Sequence, residues 1–84
     1  MAYSVVIRAK AEKELSKFSR DMQLRIRNAV LSLSDNPRPT QAKKLVGAIG
    51  WWLRVGDYRV VYKIIDSELI IEVIRIAHRR EVYR

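Results

Sequence analysis

Trp51-Trp52-Leu53-Arg54-Val55-Gly56-Asp57-Tyr58-Arg59-Val60-Val61-Tyr62 decides the fold. Two runs of aromatic and β-branched residues flank a Gly-Asp pair. Such runs favour strands, and Gly56 can take the positive φ that a two-residue hairpin turn requires. With Gly56 and Asp57 as the loop, Val55 faces Tyr58 and Arg54 faces Arg59. Two arginines then stand side by side on one face of a sheet. Like charges directly opposite each other destabilise a strand pair. An anion lying over that face would offset the cost, and for a chain this basic a nucleic-acid phosphate is the leading candidate.

The surroundings extend the reading. Strand alternation sets Trp51, Leu53 and Val55 on one face, the expected core face, with Tyr58, Tyr62, Val60 and Ile64 from the next strand. Trp52 and Arg54 share the other face with Arg59, Val61 and Lys63. Downstream, Asp66-Ser67-Glu68 is a second tight connection, and a third strand is expected over Leu69–Ala77. In it, plain alternation places Ile71, Val73, Arg75, Ala77 and Arg79 on a common face. Upstream, Thr40–Gly50 reads as a loop with a short turn, carrying Lys43 and Lys44. Asp35-Asn36-Pro37-Arg38-Pro39 stops a helix, because proline lacks the amide hydrogen and restricts the residue before it.

Two helices are expected before that stop. In the first, beginning at Ala9, Ala11, Leu15 and Phe18 form one apolar stripe. In the second, Met22, Ile26, Ala29/Val30 and Leu33 do so, with Ser19 as N-cap and Asp21 in the first turn. Tyr3–Ile7 reads as a short strand. The order is therefore β-α-α-β-β-β. The fold class is α+β: a small antiparallel β-sheet with an N-terminal helical hairpin packed on one face. Its other face is left for function.

Bulk properties narrow the class. The chain has 84 residues, which suits a single domain over 1–84, and no cysteine, which excludes disulfides and fits a reducing, cytoplasmic setting. The formal net charge is +8. Residues 1–35 carry seven Lys/Arg and four Asp/Glu, and residues 36–84 carry ten and five, so the excess is spread through the chain. That balance points to a polyanionic partner. No apolar run is long enough for a membrane span, and no membrane partner is expected.

With these residues in place, the chain resembles the RelE branch of the RelE/ParE toxin superfamily. The similarity runs through nearly the whole chain. It is strongest in Leu45-Val46-Gly47, in Leu53 to Tyr62, and in His78-Arg79-Arg80-Glu81-Val82-Tyr83. The resemblance implies a toxin of a type II toxin–antitoxin system that enters the ribosomal A site and cuts mRNA there. It implies a RelB-like antitoxin, the ribosome and mRNA as partners, and operator DNA only through the antitoxin complex. By position it implies a catalytic set of Arg54, Arg59, Arg79 and Tyr83. Many relatives have a second basic residue two positions before Arg54; here that position is Trp52.

The chemistry such a set can perform needs neither metal nor cofactor. The substrate's own 2′-hydroxyl attacks the adjacent phosphorus and leaves a 2′,3′-cyclic phosphate and a 5′-hydroxyl. Arginine's planar fork binds phosphate oxygens bidentately and stays charged. Arg59 and Arg79 are thus assigned to phosphate stabilisation, and Arg54 to substrate binding or proton handling. Tyr83 stacks on a base or supplies a hydroxyl. His78, the single histidine, is a further acid–base candidate, although alternation points it away from Arg79. Lys43, Lys44, Arg80 and Trp52 complete an RNA-binding set, Trp52 by stacking. A lone histidine without cysteines makes a zinc site unexpected. Two alternatives stand beside this reading: a ParE-like toxin that blocks DNA gyrase, which shares the fold but is opposed by Arg54, Arg59, Arg79 and Tyr83 together and favoured by Trp52, and a non-catalytic basic binding module.

Overall fold

The structure is a computed structural model, and it describes residues 2–45 and 50–78. In chain order the elements are β1 (Ser4–Ile7), α1 (Ala9–Leu15), α2 (Arg20–Ser32), β2 (Lys43–Lys44), β3 (Trp51–Val55), β4 (Tyr58–Ile65) and β5 (Ile70–His78). A 3-10 turn over Asp66–Glu68 joins β4 to β5. Among the described residues the strands form one sheet in the order β1-β5-β4-β3-β2.

Local side-chain bonds mark the start of α2 and the end of α1. The Ser19 hydroxyl caps α2 by accepting the Met22 amide hydrogen at 3.2 Å, which satisfies one of the helix's otherwise unpaired donors. α1 ends at Leu15, earlier than the apolar stripe through Phe18 suggests. The Ser16 hydroxyl turns back onto the Lys13 carbonyl at 2.7 Å, and the Gln23 amide donates to the Phe18 carbonyl at 2.9 Å. Phe18 therefore packs from the turn between the helices and not from α1 itself.

The core lies between the helices and one face of the sheet. Ala11 and Leu15 of α1, Ile26 and Val30 of α2, and Leu33 are buried against Leu53, Val55, Val60, Tyr62, Ile71, Val73 and Ile76. Trp51, Tyr58 and Ile64 pack at its margin, as alternation predicts. Burial of so many apolar side chains, each contributing about 1.5–3 kcal/mol, is the main term holding the layers together. A salt bridge from Arg27 to Glu12 also links the two helices on their exposed side.

The β3–β4 hairpin has the expected register, with Val55 opposite Tyr58 and Arg54 opposite Arg59. Gly56 has φ +60°, and a Cβ there would lie 3.2 Å from the Met22 Cε of α2. The turn thus needs glycine for its backbone angle.

Three features depart from the expected architecture. β1 pairs with β5 in parallel, Ser4 to Ile70 through Ile7 to Val73, so the sheet is mixed where an antiparallel one was expected. Lys43 and Lys44, expected in a loop, form an edge strand antiparallel to β3. Finally, β5 contains a bulge: Val61 pairs with Arg75 but Tyr62 pairs with Val73, which leaves Ile74 without an opposite residue. One extra residue inverts strand alternation. Ile71 and Val73 accordingly face the helices, whereas Arg75 and Ala77 pair with Val61 and Arg59 on the other face. The common face expected for all of these residues does not exist.

The hairpin's far end is tied down by a polar cluster. The Arg38 guanidinium donates to Asp66 at 2.8 Å, and the Tyr3 hydroxyl donates to the same carboxylate at 2.6 Å. These bonds, Arg38's first and Tyr3's second, hold the Asp66 carboxyl below its ordinary pKa. The bond to Asp66 in turn raises that of Tyr3. Arg38 also lies 5.7 Å from the centre of the Trp51 ring. Beneath the cluster, buried Tyr62 donates its hydroxyl to the Pro37 carbonyl at 2.8 Å, and burial pushes its pKa up to about 12.

Candidate functional site

The face of the sheet turned away from the helices carries the charge. Cross-strand pairing builds it in rows. Nearest the hairpin turn, Arg54 of β3, Arg59 of β4 and Ala77 of β5 lie side by side. The next row is Lys43, Trp52, Val61 and Arg75, running from β2 to β5. Beyond it, Lys63 stands opposite Glu72.

The two opposed arginines are anchored differently. Arg54 is exposed, and its Nε donates to the Gly56 carbonyl at 2.8 Å, which draws it toward the turn. Arg59 leans the other way, with its guanidinium carbon 4.0 Å from the centre of the Trp52 ring. That is a close cation–π contact, with the cation well inside the usual ~6 Å limit. One face of the indole is thereby covered by Arg59. Trp52, expected to stack on a base, serves in the free protein as a platform that aims an arginine.

The remaining charges on this face divide into satisfied and unsatisfied groups. Glu72 bonds Arg8 at 3.3 Å. Arg75 reaches round the margin of β5 to Glu14 of α1, with Nη2 at 3.0 Å and Nε at 3.3 Å. The other oxygen of Glu14 accepts the Ile76 amide hydrogen at 2.9 Å. β5 has outrun β1 at that point, so the Ile76 amide has no strand partner on that side, and Glu14 supplies one. Arg75 is therefore part of the scaffold. Among the described residues, Lys43, Arg54 and Lys63 form no salt bridge. Among the described residues this face presents Lys43, Arg54, Arg59 and Lys63, with Glu72 already bonded to Arg8, an electrostatic surface suited to a phosphate chain.

His78 lies elsewhere. It pairs with Tyr58 on the helix-bearing face, and the two rings meet edge to face at 5.8 Å. Tyr58 also packs on Phe18 with ring centres 4.3 Å apart. These three residues, with Glu14, Lys17, Ile76 and Ala77, line a cavity of about 450 Å³ at the end of α1. The structure does not bring His78 together with Arg54 and Arg59. Lys44 pairs with Trp51 and so belongs to the opposite side of the sheet from Lys43. Arg79, Arg80 and Tyr83 lie outside the described residues. Among the described residues no group of three or more His, Asp or Glu converges as metal ligands do. Nor, among them, is any helix long and apolar enough to cross a membrane.

Two roles were not legible in sequence. Glu14 sits in a lysine- and glutamate-rich helix, where one carboxylate resembles the next. Lys43 was recognised as basic, but no alternation marks a two-residue strand, so its position beside Trp52 could not be read.

Comparison with known proteins agrees with this architecture. The family model for the ParE toxin of type II toxin–antitoxin systems, parDE, matches residues 5–83. Over 82 residues the chain is 34% identical to a curated RelE-like toxin protein of Escherichia coli, spanning 94% of this chain and 85% of that one. The archaeal RelE–RelB complex from Pyrococcus horikoshii superposes with a TM-score of 0.85 at 25% identity, over 96% of this chain and 99% of that one. The toxin–antitoxin complex RelBE2 from Mycobacterium tuberculosis gives 0.84 at 26% identity, over 94% of this chain and 100% of that one. The chain belongs to the RelE/ParE superfamily of toxins from type II toxin–antitoxin systems.

Proposed function

We propose that this toxin is a ribosome-dependent endoribonuclease that cuts mRNA in the A site, works without a metal ion, and is silenced by a RelB-like antitoxin. The observation that carries the reading is the Arg54–Arg59 pair, set on a sheet face whose carboxylate is already bonded. A fold keeps two opposed guanidiniums at a cost of several tenths of a kcal/mol or more. A phosphodiester lying between them offsets that cost.

In this reading, the substrate's 2′-hydroxyl is the nucleophile and the protein organises the reaction. Arg59, aimed by Trp52, binds the phosphoryl oxygens and neutralises the charge that grows on them. Arg54, drawn toward the turn, contacts the neighbouring backbone. Arg79 and Tyr83 complete the set by resemblance: a further phosphate contact, and a ring or hydroxyl beside the base. Relatives solved as RelE–RelB and RelBE complexes support an antitoxin partner for this chain.

The test is cleavage of mRNA on purified ribosomes with a defined codon in an empty A site. Wild-type cutting within that codon, with no cutting when ribosomes are omitted, is the expected result. A folded protein that leaves the mRNA intact would remove the reading. The ParE family match favours a second reading, a gyrase-blocking toxin. Gyrase-dependent DNA breaks in expressing cells, with translation continuing, would identify it.

A further inference from the structure

We propose that Lys43 is the proton donor to the leaving 5′-oxygen of the RNA, an assignment that rests on the nuclease reading above. Lys43 stands directly opposite Trp52, so its side chain rises from the same sheet face as Arg54 and Arg59. Neighbouring strands lie about 4.8 Å apart, and residues two apart along a strand about 7 Å. Lys43 is thus one strand and one row from Arg54. A four-carbon stem spans that separation and lets the ammonium meet a phosphate held between the two arginines.

The residue types divide the work. Arginine keeps its proton under ordinary conditions, so Arg54 and Arg59 stabilise charge but cannot deliver a proton to a leaving group. The Trp52 indole does not ionise. Lysine carries three exchangeable protons on a mobile head. Lys63 shares the face but lies four residues, roughly 13 Å of strand, from Arg59. Among the described residues, Lys43 also engages no salt bridge or side-chain hydrogen bond. The edge strand thereby supplies a basic residue beside a position where β3 itself has tryptophan.

The step balances without another reagent. The 2′-oxygen forms its bond to phosphorus as the bond from phosphorus to the 5′-oxygen breaks. The 2′ proton passes to solvent water. The 5′-oxygen takes a proton from the Lys43 ammonium, and the resulting amine is reprotonated from solvent. The products are a 2′,3′-cyclic phosphate and a 5′-hydroxyl.

The experiment compares wild type, Lys43→Ala and Lys43→Arg in single-turnover cleavage of ribosome-bound mRNA. Each is run on the natural linkage and on one in which sulfur replaces the bridging 5′-oxygen. A thiolate departs without needing a proton. On the natural linkage both variants are expected to be about 100-fold slower or more. On the sulfur linkage both should come within a few-fold of wild type. Equal rates for wild type and Lys43→Ala on the natural linkage would overturn the assignment while leaving the nuclease reading intact. Equal slowing on both linkages would also overturn it, because the defect would then lie in binding. Wild type that cuts neither linkage would remove the nuclease reading, and this assignment with it.

Discussion

Arg54 and Arg59 face each other across β3 and β4, yet each is held by a different neighbour, one by the Gly56 carbonyl and the other by the Trp52 ring. The two side chains are thus drawn toward different neighbours. In the proposed nuclease, that arrangement would meet the negative charge growing on the phosphate. Arg54→Ala should therefore leave stability unchanged or raise it by up to about 1 kcal/mol, since one like charge is gone. The same variant should cut mRNA about 100-fold more slowly. Urea midpoints and the ribosome assay, measured together, check both halves.

Trp52 supports Arg59, and the support can be measured separately from catalysis. Trp52→Ala removes the ring beneath the guanidinium, with a coupling of about 0.5–1 kcal/mol expected for a contact of this kind near the surface. A double-mutant cycle with Arg59→Ala isolates it. Trp52→Phe should retain part of the coupling and part of the activity.

Glu14 bonds two groups at once, the Arg75 guanidinium and the Ile76 amide. Glu14→Ala leaves both without that partner at the margin of β5. The expected loss is about 1–3 kcal/mol in urea unfolding. Arg75→Ala should cost less, because the carboxylate keeps the amide.

On the alkaline side, buried Tyr62 has its pKa pushed up to about 12, against an ordinary value of 10.0. Between those two values the unfolded chain gives up this proton and the folded chain keeps it. Stability therefore falls as pH rises through that window, and is unaffected by this group below it. Tyr62→Phe should flatten that part of the alkaline unfolding profile. At neutral pH it should cost about 1 kcal/mol through the lost bond to Pro37. Raised Tyr3 accounts for a remaining slope.

On the acid side, Asp66 is held below its ordinary value of 3.8 by Arg38 and then Tyr3. Its contribution is present above that value and is lost as pH falls through the lower folded one. Asp66→Asn should remove this portion of the acid limb, measurable as a smaller change in urea midpoint on acidification.

What could be read from the sequence was local. The hairpin and its arginine pair followed from Gly56 and strand alternation, the Ser19 cap from its hydroxyl, and the core stripes from helical spacing. What escaped required knowledge of distant partners. The parallel pairing of β1 to β5 joins the two ends of the described chain. Ile74's bulge carries no signal in an apolar strand, yet it sets Arg75 opposite Val61, on the other face from Ile71 and Val73. The strand at Lys43 is too short to show a period. Resemblance supplied Arg79 and Tyr83, and the described residues stop before both.

The parallel pairing of Ser4 with Ile70 has a further consequence, for the order of assembly. The hairpin can close as soon as its own twelve residues exist, because its contacts are local. β1 must wait: its strand partner among the described residues lies 66 positions ahead in the chain, and long-range closure is slow. A nascent chain that has not reached Ile70 holds two helices and a hairpin with no strand to seat its beginning. Among the described strands, the last one made secures the first, and β1 stays unpaired until β5 exists.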